Sequence, residues 1–292
     1  MPNIYYFNIN YYCNNDCVFC FSSSTGNNSH QISLEDFMQR INFVRPTMDD
    51  KVVFNGGEPS IHPEFYLMVN YVNENYNTNV VVYTNGVFLD LIRIKKKDNL
   101  MFIVPIHGEQ ELHNCITRNN ESFSSTIKNL QKMQKNGINY TIKFIVNSVM
   151  IDDNFKINMF LDKYNLSPNE IVIARLNETK KSKANQVASI DAVAFINYLN
   201  FYDRILRENY VLKYLDIPFC YINDVNIESL EILNIPQFYF NDYHYKMLYR
   251  SYYKQIKIGE SCEDCECSGL CSMLSSSYLT LSYRDGWRIV IE

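Results

Sequence analysis

The sequence contains no long apolar run. No window of 18 residues is apolar throughout, and this argues against a membrane-spanning helix. The first ten residues lack the basic stretch, the apolar core and the small-residue cleavage site of a secretory signal. We therefore expect a cytoplasmic protein, in which cysteines are kept reduced.

The sequence also has no excess of positive charge. Its 27 Lys and Arg against 32 Asp and Glu give a formal net charge of −5, so we expect neither a nucleic-acid nor a membrane partner. Hydrophobic residues make up 47% and charged residues 20% of the chain, which supplies a sizeable core and argues against disorder. The 292 residues suit one large domain, or a medium domain with an appendage.

Cysteine is scarce but clustered. Nine cysteines among 292 residues are too few for a disulfide scaffold. Three of them lie within residues 13–20 and four within residues 262–271. In a reducing compartment such groups favour metal binding or catalysis, so the two groups predict two metal centres.

The first 175 residues alternate short apolar runs with amphipathic stretches, which predicts βα units around a parallel sheet. The apolar runs are rich in Val and Ile, as in a sheet covered by helices. The predicted strands are Ile4–Asn10, Lys51–Phe54, Val80–Tyr83, Met101–Ile106, Tyr140–Val146 and Glu170–Ala174. The predicted helices are Ser33–Val44, Pro63–Asn75, Ser122–Asn136 and Asn154–Tyr164. Six units are fewer than the eight of a complete barrel, so a partial barrel and an open sheet both fit.

The pattern changes after the sixth unit. Lys180–Lys183 has the composition of a charged linker, Asp191–Glu208 predicts a helix, and Arg288–Ile291 predicts a strand. We place a domain boundary near residue 180, which divides the chain into domains 1–180 and 181–292.

The first cysteine group follows directly on the first predicted strand. Three residues separate Cys13 from Cys17, and two separate Cys17 from Cys20. Three thiolates on one loop can bind three corners of a [4Fe–4S] cubane and leave the fourth iron open. Zinc prefers a closed site with four ligands, and no histidine lies beside this loop. A structural zinc site or a disulfide knot is the alternative interpretation.

This spacing, with Phe19 just before the third cysteine, resembles the signature of the radical S-adenosylmethionine (SAM) superfamily. A second run, Gly56-Gly57-Glu58-Pro59 at the end of the second predicted strand, resembles the family's Gly-Gly-Glu-Pro motif. Two glycines there allow the backbone to approach a ligand closely. Glu58 supplies an acceptor for the ammonium group of SAM.

The resemblance implies a partial (β/α)6 barrel, in agreement with the six units counted independently. It also implies that the amino and carboxylate groups of SAM chelate the open iron, and that one electron from the reduced cluster cleaves SAM to methionine and a 5′-deoxyadenosyl radical. That radical removes a hydrogen atom from the substrate. An external one-electron donor of the flavodoxin or ferredoxin type is then required. In such enzymes the cofactor carries the difficult chemistry and the protein positions it.

Three further residues at strand ends are candidates for SAM contacts. Asn85, in a Thr-Asn-Gly run after the third strand, matches a family position near the ligand, and it is equally suited to a turn. Asn147 ends the fifth strand and is a candidate for a ribose contact. Arg175 follows the sixth strand, where it either approaches the SAM carboxylate or pairs with an acidic neighbour.

The second cysteine group resembles part of an auxiliary-cluster extension called SPASM, or its shortened form, Twitch. The longer form continues with a cysteine at a position that Ser275 occupies here. We therefore expect one auxiliary [4Fe–4S] cluster, which needs four thiolates if it is closed, and structural zinc is the alternative. The expected ligands are Cys220, Cys262, Cys265 and Cys271, with Cys267 as an alternative to the last. Cys115 is expected to be a small buried hydrophobic residue.

The segment from Pro105 to Gly137 limits the types of reaction and substrate that we consider. It resembles a radical SAM subgroup with a Pro-x-x-Gly strand end and a His-Asp-x-Ile-Thr run, although Asn114 replaces the usual Asp. His107 and His113 either line the cavity or shape a loop. Several members resemble maturases of ribosomally made peptides. Our first hypothesis is therefore an oxidoreductase that crosslinks, epimerises or oxidises a peptide. A small-molecule dehydrogenase or epimerase for sugars or aminoglycosides is the alternative, and a plain electron carrier is argued against because it needs no SAM pocket.

The position of Cys13 near the amino terminus leads us to expect no leader-peptide-binding module ahead of the barrel. A peptide would then be held by the barrel mouth, by a separate partner or by the segment Phe238–Tyr253, which contains eight aromatic residues. We favour an amphipathic helix for this segment over a substrate platform.

Overall fold

A computed structural model describes residues 3–20, 22, 24, 30–176, 179–187, 192–215, 237–240, 245–254, 275–283 and 287–291. Side chains are described up to residue 213, except those of residues 192–196 within the eighth helix. Seven parallel strands, β1 to β7, lie side by side in chain order. Among the described strands β7 does not pair with β1, so this part of the sheet is unclosed. The arrangement fits a partial radical SAM barrel.

The strands are β1 (Ile4–Asn10), β2 (Lys51–Gly56), β3 (Asn79–Tyr83), β4 (Leu100–Ile106), β5 (Asn139–Val146), β6 (Glu170–Arg175) and β7 (Val211–Leu215). The helices are α1 (Leu34–Val44), α2 (Phe65–Asn75), α3 (Gln110–Thr117), α4 (Ser122–Lys135), α5 (Ser148–Asp152), α6 (Ile157–Tyr164), α7 (Lys180–Ala184) and α8 (Ala192–Leu206). Short 3₁₀ turns cover Pro59–Ile61 and Leu91–Arg93.

The six predicted strands are confirmed to within a few residues, and β7 is an additional strand that pairs in parallel with β6. Helices α3 and α5 were not predicted. The linker interpretation of Lys180–Lys183 was wrong, because these residues belong to α7. Thr179 and Ser182 cap that helix reciprocally, each side chain bonding the backbone of the other. The domain boundary near residue 180 stays a prediction.

Four more strands follow in the carboxyl-terminal part. Strand β8 (Gln237–Phe240) pairs in parallel with β1, and β9 (Tyr245–Lys254), β10 (Ser275–Tyr283) and β11 (Trp287–Ile291) continue in antiparallel order. The helix favoured for Phe238–Tyr253 was therefore wrong, since its described residues form β8 and β9. Aromatic residues favour extended backbone. The predicted strand Arg288–Ile291 lies within β11.

The two faces of the parallel sheet have different surroundings. Successive side chains of a strand point to opposite faces, so Phe7, Phe54 and Phe102 enter the large core between sheet and helices. Ile4 and Val53 instead belong to a small apolar cluster on the other face. Parallel strands place their carboxyl ends on one edge. The predicted site residues follow those ends.

Candidate functional site

The loop that follows β1 holds the first three cysteines; we call residues 11–20 the cysteine loop. Cys13, Cys17 and Cys20 are free thiols and partly buried. The pKa of Cys13 and that of Cys17 are each raised to about 12, chiefly by burial and, for Cys17, also by negative charge on Cys13 and Cys20. The three sulfur atoms of the loop therefore lie close enough for negative charge on one to raise the pKa of another.

This donor set fits an iron–sulfur cluster. Among the described residues, no three His, Cys, Asp or Glu side chains converge on a position for a single metal ion. A cubane needs no such convergence, because each thiolate binds a different iron atom. Thiols with raised pKa values become thiolates only beside a cationic centre. The three thiols of this loop supply ligands for three irons.

Backbone hydrogen bonds fasten the cysteine loop to the end of α3. The N–H of Asp16 donates to the carbonyl of Thr117 at 3.0 Å, and the N–H of Val18 donates to that of Ile116 at 2.9 Å. The α3 helix ends at Thr117 because Arg118 adopts a left-handed conformation with φ of 52°. The carboxyl end of α3 thus sets the path of the loop through Cys17.

Side chains of α7 and its cap complete this attachment. The carboxylate of Asp16 accepts from Lys181 and, at 2.9 Å, from Arg118. These two hydrogen bonds, Lys181 first, lower the pKa of Asp16. Asn185 donates its side-chain amide to the carbonyl of Val18 at 3.1 Å. Sequence reasoning missed all of these residues.

The two glycines of the Gly-Gly-Glu-Pro run lie against the cysteine loop. Gly57 donates its N–H to the carbonyl of Asn10 at 2.9 Å, and Glu58 donates to that of Tyr12 at 2.8 Å. A Cβ atom on Gly56 would lie 2.3 Å from the Asn10 carbonyl oxygen, and one on Gly57 would lie 2.1 Å from that of Tyr12. The glycines therefore permit close packing of the two segments, and the close approach of a ligand at these glycines stays a prediction.

Glu58 joins this loop to the end of β3. It is 1% exposed, and burial raises its pKa. One carboxylate oxygen accepts from the Thr84 hydroxyl at 2.6 Å and from the Ser60 N–H at 3.0 Å. The other accepts from the Asn85 N–H at 2.6 Å. Pro59 is buried in the 3₁₀ turn that begins after Glu58.

Asn85 reaches back to the cysteine loop. Its side-chain amide nitrogen donates to Asn14 Oδ1 at 2.8 Å and lies 3.9 Å from Cys13 Sγ. Its side-chain oxygen accepts from the Val87 N–H at 3.0 Å. Asn85 therefore shapes a turn and also contacts a cysteine sulfur, and its contact with SAM stays a prediction.

A cavity of about 340 Å³ opens beside Cys17 and Cys20. Among its described residues it has two cationic side chains and no carboxylate. Lys143, which sequence reasoning did not single out, also lies 5.7 Å from the centre of the Tyr83 ring. The lining consists of Cys17, Phe19, Cys20, Pro105, His107, Lys143, Ile145, Ala174, Arg175 and Leu176.

Two buried histidines lie at this cavity, and one of them, His107, lines it. The rings of His107 and His113 stack with centroids 5.3 Å apart, and Phe19 contacts His107 edge to face at 5.1 Å. Burial lowers the pKa of His113 to about 4 and that of His107 well below its ordinary value. His107 Nδ1 is buried without a hydrogen-bond partner in the described part of the chain. His107 thus lines the cavity as a neutral ring.

His113 links α3 to the cysteine loop. Its Nδ1 accepts from the backbone N–H of His107 at 3.3 Å, so the proton of the neutral His113 ring is assigned to Nε2. That nitrogen lies 3.1 Å from Ser122 Oγ, which also accepts from the Asn15 side chain at 3.3 Å. His113 is therefore a loop-shaping residue.

Other predicted residues have different positions. Asn147 is fully buried and caps α5, with Oδ1 accepting from the Met150 N–H at 3.1 Å. Its ribose contact stays a prediction. Cys115 is exposed, so the expectation of burial was wrong; the sequence signal of a lone cysteine does not reveal which side of α3 it occupies.

The second cysteine group cannot be placed. Cys220, Cys262, Cys265, Cys267 and Cys271 all lie outside the described residues. Within the described helices, none combines the length and apolar character needed to cross a bilayer.

Comparison with known families identifies the class of protein. Residues 7–156 match the model of the Radical SAM superfamily, which is just over half of the chain. The protein belongs to the radical SAM superfamily. Membership implies a [4Fe–4S] cluster and SAM as cofactors, and the three cysteines of the cysteine loop supply a fitting donor set.

Curated relatives match part of the chain. Fe-coproporphyrin III synthase of Methanosarcina barkeri is 23% identical over 145 residues, which is 48% of this chain and 36% of that protein. The mycofactocin maturase MftC of Mycobacterium ulcerans is 26% identical over 132 residues, which is 44% of this chain and 36% of that protein. The chain therefore spans about a third of the length of these relatives.

Solved structures share the fold. Streptococcus suis SuiB bound to S-adenosylmethionine superposes with a TM-score of 0.68 at 12% identity, covering 93% of this chain and 72% of SuiB. The protein anSMEcpe with bound AdoMet and a peptide gives a TM-score of 0.66 at 16% identity, covering 93% of this chain and 88% of that protein.

Proposed function

We propose that the protein cleaves SAM reductively and uses the resulting 5′-deoxyadenosyl radical to remove a hydrogen atom from a peptide. The outcome would be a crosslink, an epimerised residue or an oxidised residue. Cys13, Cys17 and Cys20 would hold the [4Fe–4S] cluster, which supplies the open iron and the electron for cleavage. The protein would act in the cytoplasm and receive electrons from an external carrier.

One observation carries this proposal. Gly57 packs directly on the cysteine loop and Gly56 on Asn10 just before it, and Glu58 ties the same loop to Asn85 beside Cys13. The two motifs are 36 or more residues apart in the sequence. Cys17 and Cys20 of the same loop line a cavity large enough for a small molecule.

The surrounding residues suit the binding of SAM. Glu58 would accept from the SAM ammonium, and Arg175 would attract its carboxylate. Phe19 would cover the ligand with an apolar ring, and Asn147 would contact the ribose. Buried neutral His107 offers Nδ1 to a donor on SAM or on the substrate, and its low pKa keeps it uncharged at neutral pH.

We also propose an auxiliary [4Fe–4S] cluster in a carboxyl-terminal domain, residues 181–292, of the SPASM or Twitch kind. Its ligands would be Cys220, Cys262, Cys265 and Cys271 or Cys267. The support is the spacing of these cysteines. Two cubanes predict about eight irons per chain, whereas about four irons with one zinc would overturn the auxiliary cluster.

The choice of a peptide substrate is supported by the similar proteins. SuiB has been solved with its precursor peptide SuiA, at a TM-score of 0.58 and 15% identity over 74% of this chain and 48% of SuiB, and MftC is named as a maturase. A small-molecule substrate is the second candidate, because Fe-coproporphyrin III synthase is also similar. A short reading frame beside the gene would favour the peptide, and a sugar-biosynthesis neighbourhood would favour a small molecule.

Anaerobic reconstitution with iron, sulfide, dithionite and SAM tests the central claim. We expect 5′-deoxyadenosine and methionine in equal amounts, and no product from Cys17→Ala. Cys115→Ser is the matched control, because Cys115 is exposed and is not one of the proposed cluster ligands. A protein with its full complement of iron that fails to cleave SAM would overturn the proposed function.

A further inference from the structure

One face of the molecule is basic although the chain is acidic overall. Residues 86–99 and 122–135 contain seven Lys and Arg against two Asp, in a chain of net charge −5. The second segment covers α4, which has no acidic residue. Positions 128, 132 and 135 are spaced by one helical turn, so their lysines share a face of α4. We define the basic face as Phe88, Ile92, Lys96, Lys128, Lys132 and Lys135.

The two segments meet at a groove of about 380 Å³ lined by Val87–Asp90 and by Ser125, Lys128, Asn129 and Lys132 of α4. Apolar side chains stand exposed beside it: Phe88 is 58% exposed and Ile92 is 96% exposed. The acidic residue in the lining, Asp90, accepts from the Ile92 N–H as the cap of a 3₁₀ turn. Apolar groups rimmed by charge are typical of a protein–protein contact.

The groove beside the basic face is connected to the cysteine loop by a chain of hydrogen bonds through Asn129, Thr126 and Asn85. Asn129 of α4 donates to the carbonyls of Gly86 and Val87 at 2.8 and 3.1 Å. Thr126, one turn earlier, donates to the carbonyl of Asn85 at 2.9 Å. The Asn85 side chain in turn lies 3.9 Å from Cys13 Sγ. A continuous packed path therefore runs from the groove to a cysteine ligand of the proposed cluster.

We propose that the basic face docks an acidic one-electron carrier protein that reduces the cluster. This inference rests on the proposed function, because SAM cleavage consumes one electron. In the docking step one electron leaves the carrier and enters the cluster, so the carrier is oxidised, the cluster is reduced, and no bond forms or breaks. An acidic carrier is the partner that this surface fits, since opposite charges steer encounter and orient the two proteins. Weak electron-transfer contacts are small, which suits a patch of six side chains.

The test compares two reductants on the full-length, reconstituted protein. Formation of 5′-deoxyadenosine is measured with reduced acidic flavodoxin and, separately, with dithionite, which needs no docking surface. The variants are Lys128→Glu/Lys132→Glu and Phe88→Ser. Lys180→Glu/Lys183→Glu on α7 is the matched charge control, because these exposed lysines flank the other attachment of the cysteine loop. Flavodoxin binding to each protein is measured directly as a Kd.

We expect the α4 double variant to lose about tenfold or more of the flavodoxin-driven rate at low ionic strength, with a matching rise in Kd. Its dithionite-driven rate should equal that of the wild type, which also shows that α4 is folded. Phe88→Ser should weaken binding at any ionic strength. Raising the salt to about 0.3 M should remove most of the difference between wild type and the α4 double variant, because the charges are exposed and screened.

Two results would overturn the proposal. One is an unchanged flavodoxin-driven rate in the α4 double variant, with or without a loss in the α7 control. The other is a wild type that flavodoxin neither binds nor reduces while dithionite supports cleavage; the basic face would then serve another acidic partner, such as the substrate peptide. Failure with dithionite as well would instead overturn the proposed function.

Discussion

Lys181 on α7 pairs with Asp16, the residue before Cys17, across 165 positions of sequence. The Lys181 side chain is 16% exposed, whereas Asp16 is 44% exposed. Exposed ion pairs add less than about 1 kcal/mol to stability. The pair therefore acts mainly on the position of the cysteine loop rather than on the stability of the whole fold.

We predict that Lys181→Met loosens the cluster without unfolding the protein. Urea denaturation of the cluster-free protein should shift little, whereas iron should be released to a chelator several times faster than from the wild type. Lys163→Met is the control, because Lys163 forms a comparable pair with Glu109 at 2.8 Å, away from the cysteine loop. Equal iron release from wild type and Lys181→Met would contradict the assigned role.

Gly57→Ala should disrupt the junction between the two motifs. Its Cβ would lie 2.1 Å from the backbone oxygen of Tyr12, and backbone cannot move aside as a flexible side chain can. Overpacking of this kind costs about 1–3 kcal/mol, and the cysteine loop would be displaced. We expect a lower denaturation midpoint and a loss of SAM binding by equilibrium dialysis.

The matched control for Gly57→Ala is Gly137→Ala, just after the end of α4. There the nearest atom to the added Cβ is the mobile Lys96 Nζ, and the φ of +60° supplies the strain. We expect a cost of about 1 kcal/mol with SAM binding retained. Loss of SAM binding in both variants would show that the effect at Gly57 is general destabilisation.

Much of the fold follows from the sequence, whereas the attachments of the cysteine loop do not. Strands β1 to β6 are detectable as short apolar runs, and an amphipathic helix follows most of them, although only the 3₁₀ turn Leu91–Arg93 follows β3. The contact of Asn15 with Ser122 joins residues 107 positions apart, and no local pattern encodes it. Helix α7 had a usable signal in Thr179 and Ser182, but the lysines between them are equally typical of a linker.

Glu58 should make stability depend on pH. Burial raises its pKa in the folded protein, so the unfolded chain releases the proton first as pH rises. The free energy of unfolding should therefore fall from about pH 4 upward, until the pH passes the raised pKa. Urea denaturation over a pH series measures this pH dependence. The Glu58→Gln variant should lack the part of it that comes from Glu58.

The same substitution should be costly in itself. Glu58 accepts three hydrogen bonds from Ser60, Thr84 and Asn85, and a glutamine amide would direct N–H groups at one of these donors. An unsatisfied buried donor costs about 1–3 kcal/mol. A Glu58→Gln variant as stable as the wild type at neutral pH would contradict this arrangement.

His113 predicts a loss of stability on acidification. Its pKa is about 4 in the folded protein, whereas an ordinary histidine has a pKa near 6.5. The unfolded chain therefore binds a proton first, and stability falls as pH drops from about 6.5 to about 4, by up to about 3 kcal/mol. His107, with its pKa also lowered by burial, acts in the same direction.

His113→Gln tests this assignment, because a glutamine amide can still donate to Ser122 but does not titrate. We expect its acid-induced loss of stability to be smaller than that of the wild type, while the two proteins differ little at pH 8. An identical pH dependence in both would mean that His113 is not the titrating group. His30, which is exposed, provides the control in His30→Gln.

Asn85 should tune the reduction potential of the cluster. Its amide nitrogen lies 3.9 Å from Cys13 Sγ, and hydrogen bonds to cysteine sulfur stabilise the reduced, more negative cluster. Asn85→Ala should therefore lower the midpoint potential in an anaerobic redox titration followed by electron paramagnetic resonance, and slow SAM cleavage with a weak reductant more than with a strong one. Asn85→Asp should lower the potential further, since its carboxylate repels the added electron. Cys115→Ser should leave the potential unchanged, and a potential that is also unchanged in both Asn85 variants would exclude a hydrogen bond from Asn85 to the cluster ligand.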